Sequence, residues 1–201
     1  MQVAPAAAAR TGEVTRLLRA ARNGDAGAID RIVPLVYDDL RRLARRQLGR
    51  RLDTPSVRPT ELVHEAYVKL RVGGAEAAGD RAHFLAIAAR AMRQVLVDDA
   101  RNRQAAKRGG GVWKRATLSG HHWVVDFDAD ELLTLNDALD SLDPRQRQVV
   151  ECRFFGGMEE REIAEVLGVT ERTVRRDWVK ARAWLYRALA ERGFDKSLPE
   201  S

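Results

Sequence analysis

Cysteine is almost missing from this chain of 201 residues, with Cys152 the only one. A single thiol excludes an intramolecular disulfide framework and any zinc site built from several cysteines, and it suits a reducing compartment. Long apolar runs are missing too. None approaches the roughly 20 residues that a membrane-spanning helix needs, and Met1 to Arg10 lacks a basic start followed by an apolar stretch. The expectation is a cytoplasmic protein that neither spans a membrane nor is exported. Aromatic residues make up only 6% of the chain. Alternating β-branched patterns are nearly absent, which removes the usual signal for sheet.

What is present favours helix. Ala, Leu, Arg and Glu dominate, and these are strong helix formers, so the fold class expected is all-α. Apolar residues at 45% suffice for buried cores, while charged residues at 32% demand an ionic surface. Lys and Arg number 35 against 29 Asp and Glu, a formal charge of +6. That balance invites a polyanion partner, although net charge alone is a weak argument.

The periodicity divides the chain into two small helical domains joined by a flexible linker. Residues 1–12 read as a disordered tail. Val14, Leu17, Leu18 and Ala21 then mark a first helix, which Asn23-Gly24-Asp25 stops. A second helix carries the stripe Ile29, Ile32, Val33, Val36, Tyr37, Leu40, Leu43 and Leu48, with Pro34 placed to bend or delay it. Its outer face holds an arginine run from Arg41 to Arg51, whose plainer reading is a solvated helix face. The segment DTPSVRP is a loop, and Thr60 is placed to cap the helix ELVHEAYVKL. A fourth helix follows Phe84, Ala88, Ala91, Met92 and Val95 to about Arg103, closing a first domain over 13–104. Periodicity fails over 105–130, the linker. It resumes through Leu132, Leu135, Ala138, Leu139 and Leu142, halts at Asp143-Pro144, and restarts in a second domain over 131–192, with 193–201 a tail.

Residues 160–185, EREIAEVLGVTERTVRRDWVKARAWL, carry the most information. Ile163, Ala164 and Leu167 share one face, Gly168-Val169-Thr170 follows, and Val174, Trp178, Ala181 and Leu185 form the next stripe. That is a helix-turn-helix pattern. Ala164 is small enough for two helices to approach, Gly168 permits a left-handed turn, Thr170 caps the next helix, and Val174 plugs the corner. Such a motif places the first turns of its second helix in the major groove. Here that surface offers Thr170, Glu171, Arg172, Thr173, Arg175 and Arg176, with Lys180 farther back for phosphate. The plainer alternative, two amphipathic helices with solvated charges, does not require Ala, Gly, Val and the cap together.

Taken with these residues, the chain resembles the bacterial sigma factors of RNA polymerase, in particular the small extracytoplasmic-function (ECF) group of the sigma-70 family, from Glu13 to Leu189. The stretch LDPRQRQVVECRFFGGMEEREIAEVLGVTERTVRRDWVKARAWL looks like the family's fourth region, which reads the minus-thirty-five element. The amino-terminal helices look like its second region, which holds the polymerase clamp and reads and melts the minus-ten element. The resemblance implies that TELVHEAYVKL is the clamp-binding helix, making Glu61, Leu62, His64, Glu65 and Tyr67 candidates for the polymerase contact. It likewise implies that HFLAIAARAMRQVLVDDARNR meets the minus-ten element, through Arg90, Arg93, Gln94, Asp98, Arg101, Asn102 and Arg103, with Lys107 and Arg108 following. Residues 71–80 fall where the family captures an unstacked base. Core RNA polymerase and promoter DNA are the partners implied, with a regulatory kinase or an anti-sigma factor as further ones and no membrane. Family members usually carry an acidic residue or two where Pro59 and Thr60 stand. Phosphorylation at Thr60, or less favourably Thr54, would restore that acidity.

Rival chemistries find no support. His64-Glu65 begins like a zinc-protease helix, but Val68 stands where the second ligand belongs. His121-His122 is an isolated pair, and Gly109-Gly110-Gly111 lacks the residues that would cradle phosphate. The expectation is therefore a non-enzyme, with no catalytic residues, no cofactor and no metal. Cys152, within an apolar stripe, reads as a buried structural thiol, and Trp178 and Trp184 read as core anchors. The alternative function is a transcriptional regulator that binds an operator through the same helix-turn-helix without polymerase.

Overall fold

The structure is a computed structural model that describes residues 4–25, 27–48, 58–72, 74–75, 78–107 and 129–192. It is all-α, with no strand among the described residues. In chain order the helices are α1 (Ala4–Arg22), α2 (Ala28–Leu48), α3 (Pro59–Val72), α4 (Arg81–Lys107), α5 (Ala129–Asp140), α6 (Pro144–Val150), α7 (Glu160–Leu167) and α8 (Glu171–Ala190). A wide π-helical turn, Glu151–Phe155, continues α6.

Sequence patterning places the helices well and their ends less well. Helix α1 begins at Ala4, inside the stretch expected to be a disordered tail, because the alanines from Ala6 to Ala9 have the highest intrinsic helix propensity. Pro34 interrupts nothing: α2 runs through it. The ring removes one N–H from the ladder, but Pro34 and Asp30, whose carbonyl loses that partner, both face solvent, so water can satisfy the group. At the other boundary α4 continues to Lys107 and α5 starts at Ala129, so each helix takes a few residues of the expected linker. Residues 108–128 lie outside the described residues. Thr60 does not cap α3. Pro59 takes the first helical position and Thr60 the second, while the Arg58 N–H at the boundary donates to Glu61 Oε2 at 3.5 Å.

Two apolar cores form. Val14, Leu18, Ile32, Leu40, Leu62, Phe84, Ala88 and Met92 lie in the first, between α1, α2, α3 and α4. Leu135, Leu139, Val149, Ile163, Val174, Ala181 and Leu185 lie in the second, between α5 and α8. Cys152 is 5% exposed in that second core, and burial, aided by the charge of Glu151, pushes its thiol up to about 12. It is an inert structural thiol at neutral pH. Trp178 is buried, with the Arg153 guanidinium 4.8 Å from its ring, and Trp184 is half-buried against the same core.

The two cores touch. Leu132 and Leu133 of α5 pack on the first, and Ala86 of α4 packs on the second. Helix α4 therefore has two buried flanks, one against α3 and one against α5 and the π-helical turn. Closer to the surface, the side chain of Arg46 from α2 lies over Gly157, whose φ of +62° leaves a gap where a Cβ would overlap the guanidinium.

Candidate nucleic-acid and polymerase interface

The second half presents its cationic surface around the α7–α8 corner. Helix α7 ends at Gly168, whose φ of +64° lets the Val169 N–H reach back to the Ala164 carbonyl at 3.0 Å. A residue with a side chain would be strained there. Thr170 then caps α8 by accepting the Thr173 N–H at 3.2 Å, and the two hydroxyls lie 3.0 Å apart. Val174 is 0% exposed and seals the corner with Ile163 and Ala164. Thr170, Glu171, Arg172, Arg175, Arg176 and Lys180 are left on the solvent side, with Thr173 half-buried.

Two of these cations are held by acids of the same chain. Arg175 donates to Glu160 Oε2 through Nε at 3.2 Å and through a terminal nitrogen at 2.7 Å. The hydrogen bond from Arg175, with help from Arg153, holds the Glu160 carboxyl below its ordinary range, and Glu160 raises Arg175 in return. Arg176 lies 3.5 Å from the buried Asp177, which accepts a shorter bond, 2.6 Å, from Arg145 of α6. Burial alone would raise the Asp177 carboxyl, but the bond and charge of Arg145, followed by those of Arg176, outweigh it and leave it lowered. Asp177 thus ties α8 to α6 and steadies the base of the cationic surface.

The residues expected to meet the minus-ten element do not share one exposed face. Arg90, Arg101 and Asn102 are exposed. Gln94 donates to Asp98 at 2.9 Å, and Asp98 pairs with Lys69 of α3 at 2.9 Å, so this acid bridges α4 to α3. Arg103 is mostly covered and pairs with Asp99 at 3.0 Å. Lys107 ends α4 with its side chain outside the description, as is the whole of Arg108.

Arg93 contradicts the expectation that it faces DNA. It is 1% exposed, the most buried charge among the described residues, and lies between α4, α5 and the π-helical turn. Its terminal nitrogens donate to Asn136 Oδ1 at 2.6 Å and to Glu151 Oε1 at 2.7 Å, and its guanidinium stands 5.7 Å from the Phe155 ring centre. Burial lowers its pKa, opposed by the charge of Glu151. The reason it turns inward is local. Ala89, Met92, Leu96 and Val97 around it are buried, so its long side chain has no route to water except past apolar neighbours, and a carboxylate waits at the end. Glu151 and Asn136 were not singled out in the sequence. Their signal was there: each is a polar residue inside an otherwise apolar stripe, between Val150 and Cys152 and between Leu135 and Ala138.

The candidate polymerase surface on α3 is similarly divided. Leu62 is 0% exposed and belongs to the first core, so it offers no contact. His64 is exposed, and Glu61 and Glu65 are half-buried. Tyr67 donates its hydroxyl to Asp30 at 2.5 Å, and that bond raises the phenol pKa. Thr60 sits in the first turn of α3, half-buried, and Thr54 lies outside the described residues. None of the described helices is long and apolar enough to cross a membrane.

No curated protein matches the chain significantly. Among solved structures, one described as CnrH in complex with the cytosolic domain of CnrY aligns over 89% of this chain and 98% of that one at 21% identity, with a TM-score of 0.39. That likeness is too loose to carry an argument. The family comparison is not: a model of the ECF sigma factor matches residues 11–191, which takes in every helix from the body of α1 to the end of α8. With the capped, cation-bearing α7–α8 corner already in place, the match shows that the chain belongs to the ECF sigma factors, which bind core RNA polymerase and direct promoter-specific transcription initiation.

Proposed function

We propose that this sigma factor reads the upstream promoter element with the first turns of α8, meets the minus-ten element with the exposed flank of α4, and docks on core polymerase through the solvent face of α3. The observation that carries the reading is the start of α8. A capped helix N-terminus presents Arg172, Arg175 and Arg176 on the solvent side of a corner that Val174 locks. Arginine forks suit guanine edges and phosphates, and the positive end of the helix dipole adds to the attraction. On α4 the exposed cations are Arg90 and Arg101, with Asn102 beside them. On α3 the solvent side holds His64, flanked by Glu61 and Glu65.

The reading assigns binding and promoter selection to this chain and leaves catalysis to the polymerase, within the cytoplasm. Control by a partner belongs to the same proposal. A kinase acting on Thr60 would place about −1.5 to −2 charges in the first turn of α3, beside the positive end of its dipole. An anti-sigma factor is the alternative form of control.

Reconstitution tests the whole. The purified chain mixed with core polymerase is expected to start transcription from a promoter selected out of random DNA, and to protect that promoter only when polymerase is present. Protection of a palindromic site by the chain alone, with no transcription, would instead establish an operator-binding regulator.

A further inference from the structure

Arg93 is used inside the protein, and its partners come from the other half of the chain. We propose that Asn136 and Glu151 form an intramolecular latch that takes up Arg93 and keeps the protein in a closed form whose α4 cannot engage promoter DNA. The inference rests on the reading of α4 as the minus-ten helix.

The geometry favours a latch over a permanent core. Glu151, 6% exposed, accepts from Arg93 at 2.7 Å and from Arg147 at 3.1 Å, and Arg90 stands 3.9 Å away. One carboxylate thus serves three guanidinium groups. Asp140, 2.7 Å from Arg147, is the second acid of the group and reaches back to Asn136, whose amide donates to it at 3.0 Å. A buried ion pair of this kind contributes little net stability compared with apolar packing, but it is costly to break from one side. It selects a geometry. Apolar contacts accompany it across the halves: Leu132 and Leu133 on one core, Ala86 on the other, and the Phe155 ring beside Arg93. An interface within one chain that is this polar at its centre resembles a transient one. An incoming DNA strand offers phosphates to Arg90 and Arg93 together, and can replace the single carboxylate with several anions.

In the closed form Glu151 occupies the place of a phosphate. Arg93 is then unavailable, and α5 and the π-helical turn cover the flank of α4 that carries it. Opening exposes both at once.

The test uses the full chain without polymerase, as wild type, Asn136→Ala and Glu151→Gln. Small-angle X-ray scattering reads opening, circular dichroism reads folding, and fluorescence anisotropy reads binding to a single-stranded oligonucleotide of random sequence at fixed low salt. Wild type is expected to be compact. Both variants should be expanded, keep their helix content, and bind the oligonucleotide about tenfold tighter, because Asn136→Ala deletes a hydrogen-bond acceptor of the buried Arg93 and Glu151→Gln deletes the negative charge that balances it. Asn136→Ala changes no charge, so its gain cannot be a simple Coulombic effect. Expansion without tighter binding overturns the minus-ten reading of α4 and the inhibition with it. Unchanged scattering in folded variants overturns the latch and leaves the minus-ten reading standing. Loss of cooperative helix in both variants also overturns it, since the network would then be the core of one indivisible unit.

Discussion

Val174 offers the sharpest quantitative test of the α7–α8 corner. Its side chain is 0% exposed and meets Ile163 and Ala164 in the second core. Val174→Ala removes two carbons' worth of buried surface, about 1.6 kcal/mol at roughly 0.8 kcal/mol per CH₂, and the cavity left behind brings the loss to about 2–3 kcal/mol. Val174→Asp adds a carboxyl group with no partner at the corner. At neutral pH that group must either ionise in an apolar site or hold a proton against its ordinary pKa near 3.9, and either course costs several kcal/mol more. The sum reaches the roughly 5–15 kcal/mol that holds a domain folded. Urea unfolding followed by helix ellipticity should therefore show Val174→Ala destabilised by about 2–3 kcal/mol and the helices of the second half largely unfolded in Val174→Asp. The sign with pH is fixed. The introduced acid has a raised pKa in the folded state, so Val174→Asp should regain stability as pH falls from about 7 to 5, whereas Val174→Asn should not respond. A Val174→Asp protein that unfolds within a few tenths of a kcal/mol of wild type at pH 7, with no pH response, would refute the buried corner.

Arg175→Ala and Arg176→Ala should each weaken binding to a selected promoter. A base-reading arginine should cost about 1–3 kcal/mol and relax choice at one position, while a phosphate-holding one should weaken all sequences alike and flatten the salt dependence; unchanged affinity in both would remove α8 from the recognition role. Asp177 should give the protein an acid-sensitive limb. Its carboxyl is lowered in the folded state, so its contribution is present above pH about 4 and lost as pH falls through the lowered value. Asp177→Asn should flatten that limb in urea midpoints measured against pH. Thr60→Glu should bind core polymerase and transcribe better than unphosphorylated wild type, and Thr60→Ala should stay weak after kinase treatment; equal activity of all three would remove Thr60 from control.

The local part of this structure was legible. A 3.6-residue period finds stripes that face a core, and Leu40, Phe84, Met92, Leu135, Ile163, Val174 and Leu185 are buried as that period requires. Chain punctuation was equally readable where one residue type has one physical use. Gly168 sits at a left-handed φ, Asp143 accepts the Arg145 and Gln146 N–H groups at the start of α6, and Thr170 caps α8. The errors fall where two signals compete. Thr60 is a good cap by type, but Pro59 ahead of it is a better first helical residue, so the boundary moved back to Arg58.

What the period could not show is what covers a second stripe. Only one flank of α4 was read from the pattern, because Phe84, Ala88, Met92 and Val95 already account for an amphipathic helix. The other flank, through Ala89, Leu96, Val97 and Ala100, is buried as well. A helix apolar on both flanks demands two neighbours, and the second came from beyond residue 128. Arg93 lies between these flanks, where an arginine can be read in two ways. If the flank is open it faces solvent and any anion that arrives there, and if the flank is covered it must find a carboxylate. Composition cannot choose between them, since both need the same residue at the same position. The choice depends on a contact between Arg93 and Glu151 that spans 58 residues of sequence. A residue suited to both roles, with its internal acid supplied from the far half of the chain, is what makes α4 sensitive to whether the halves are together or apart.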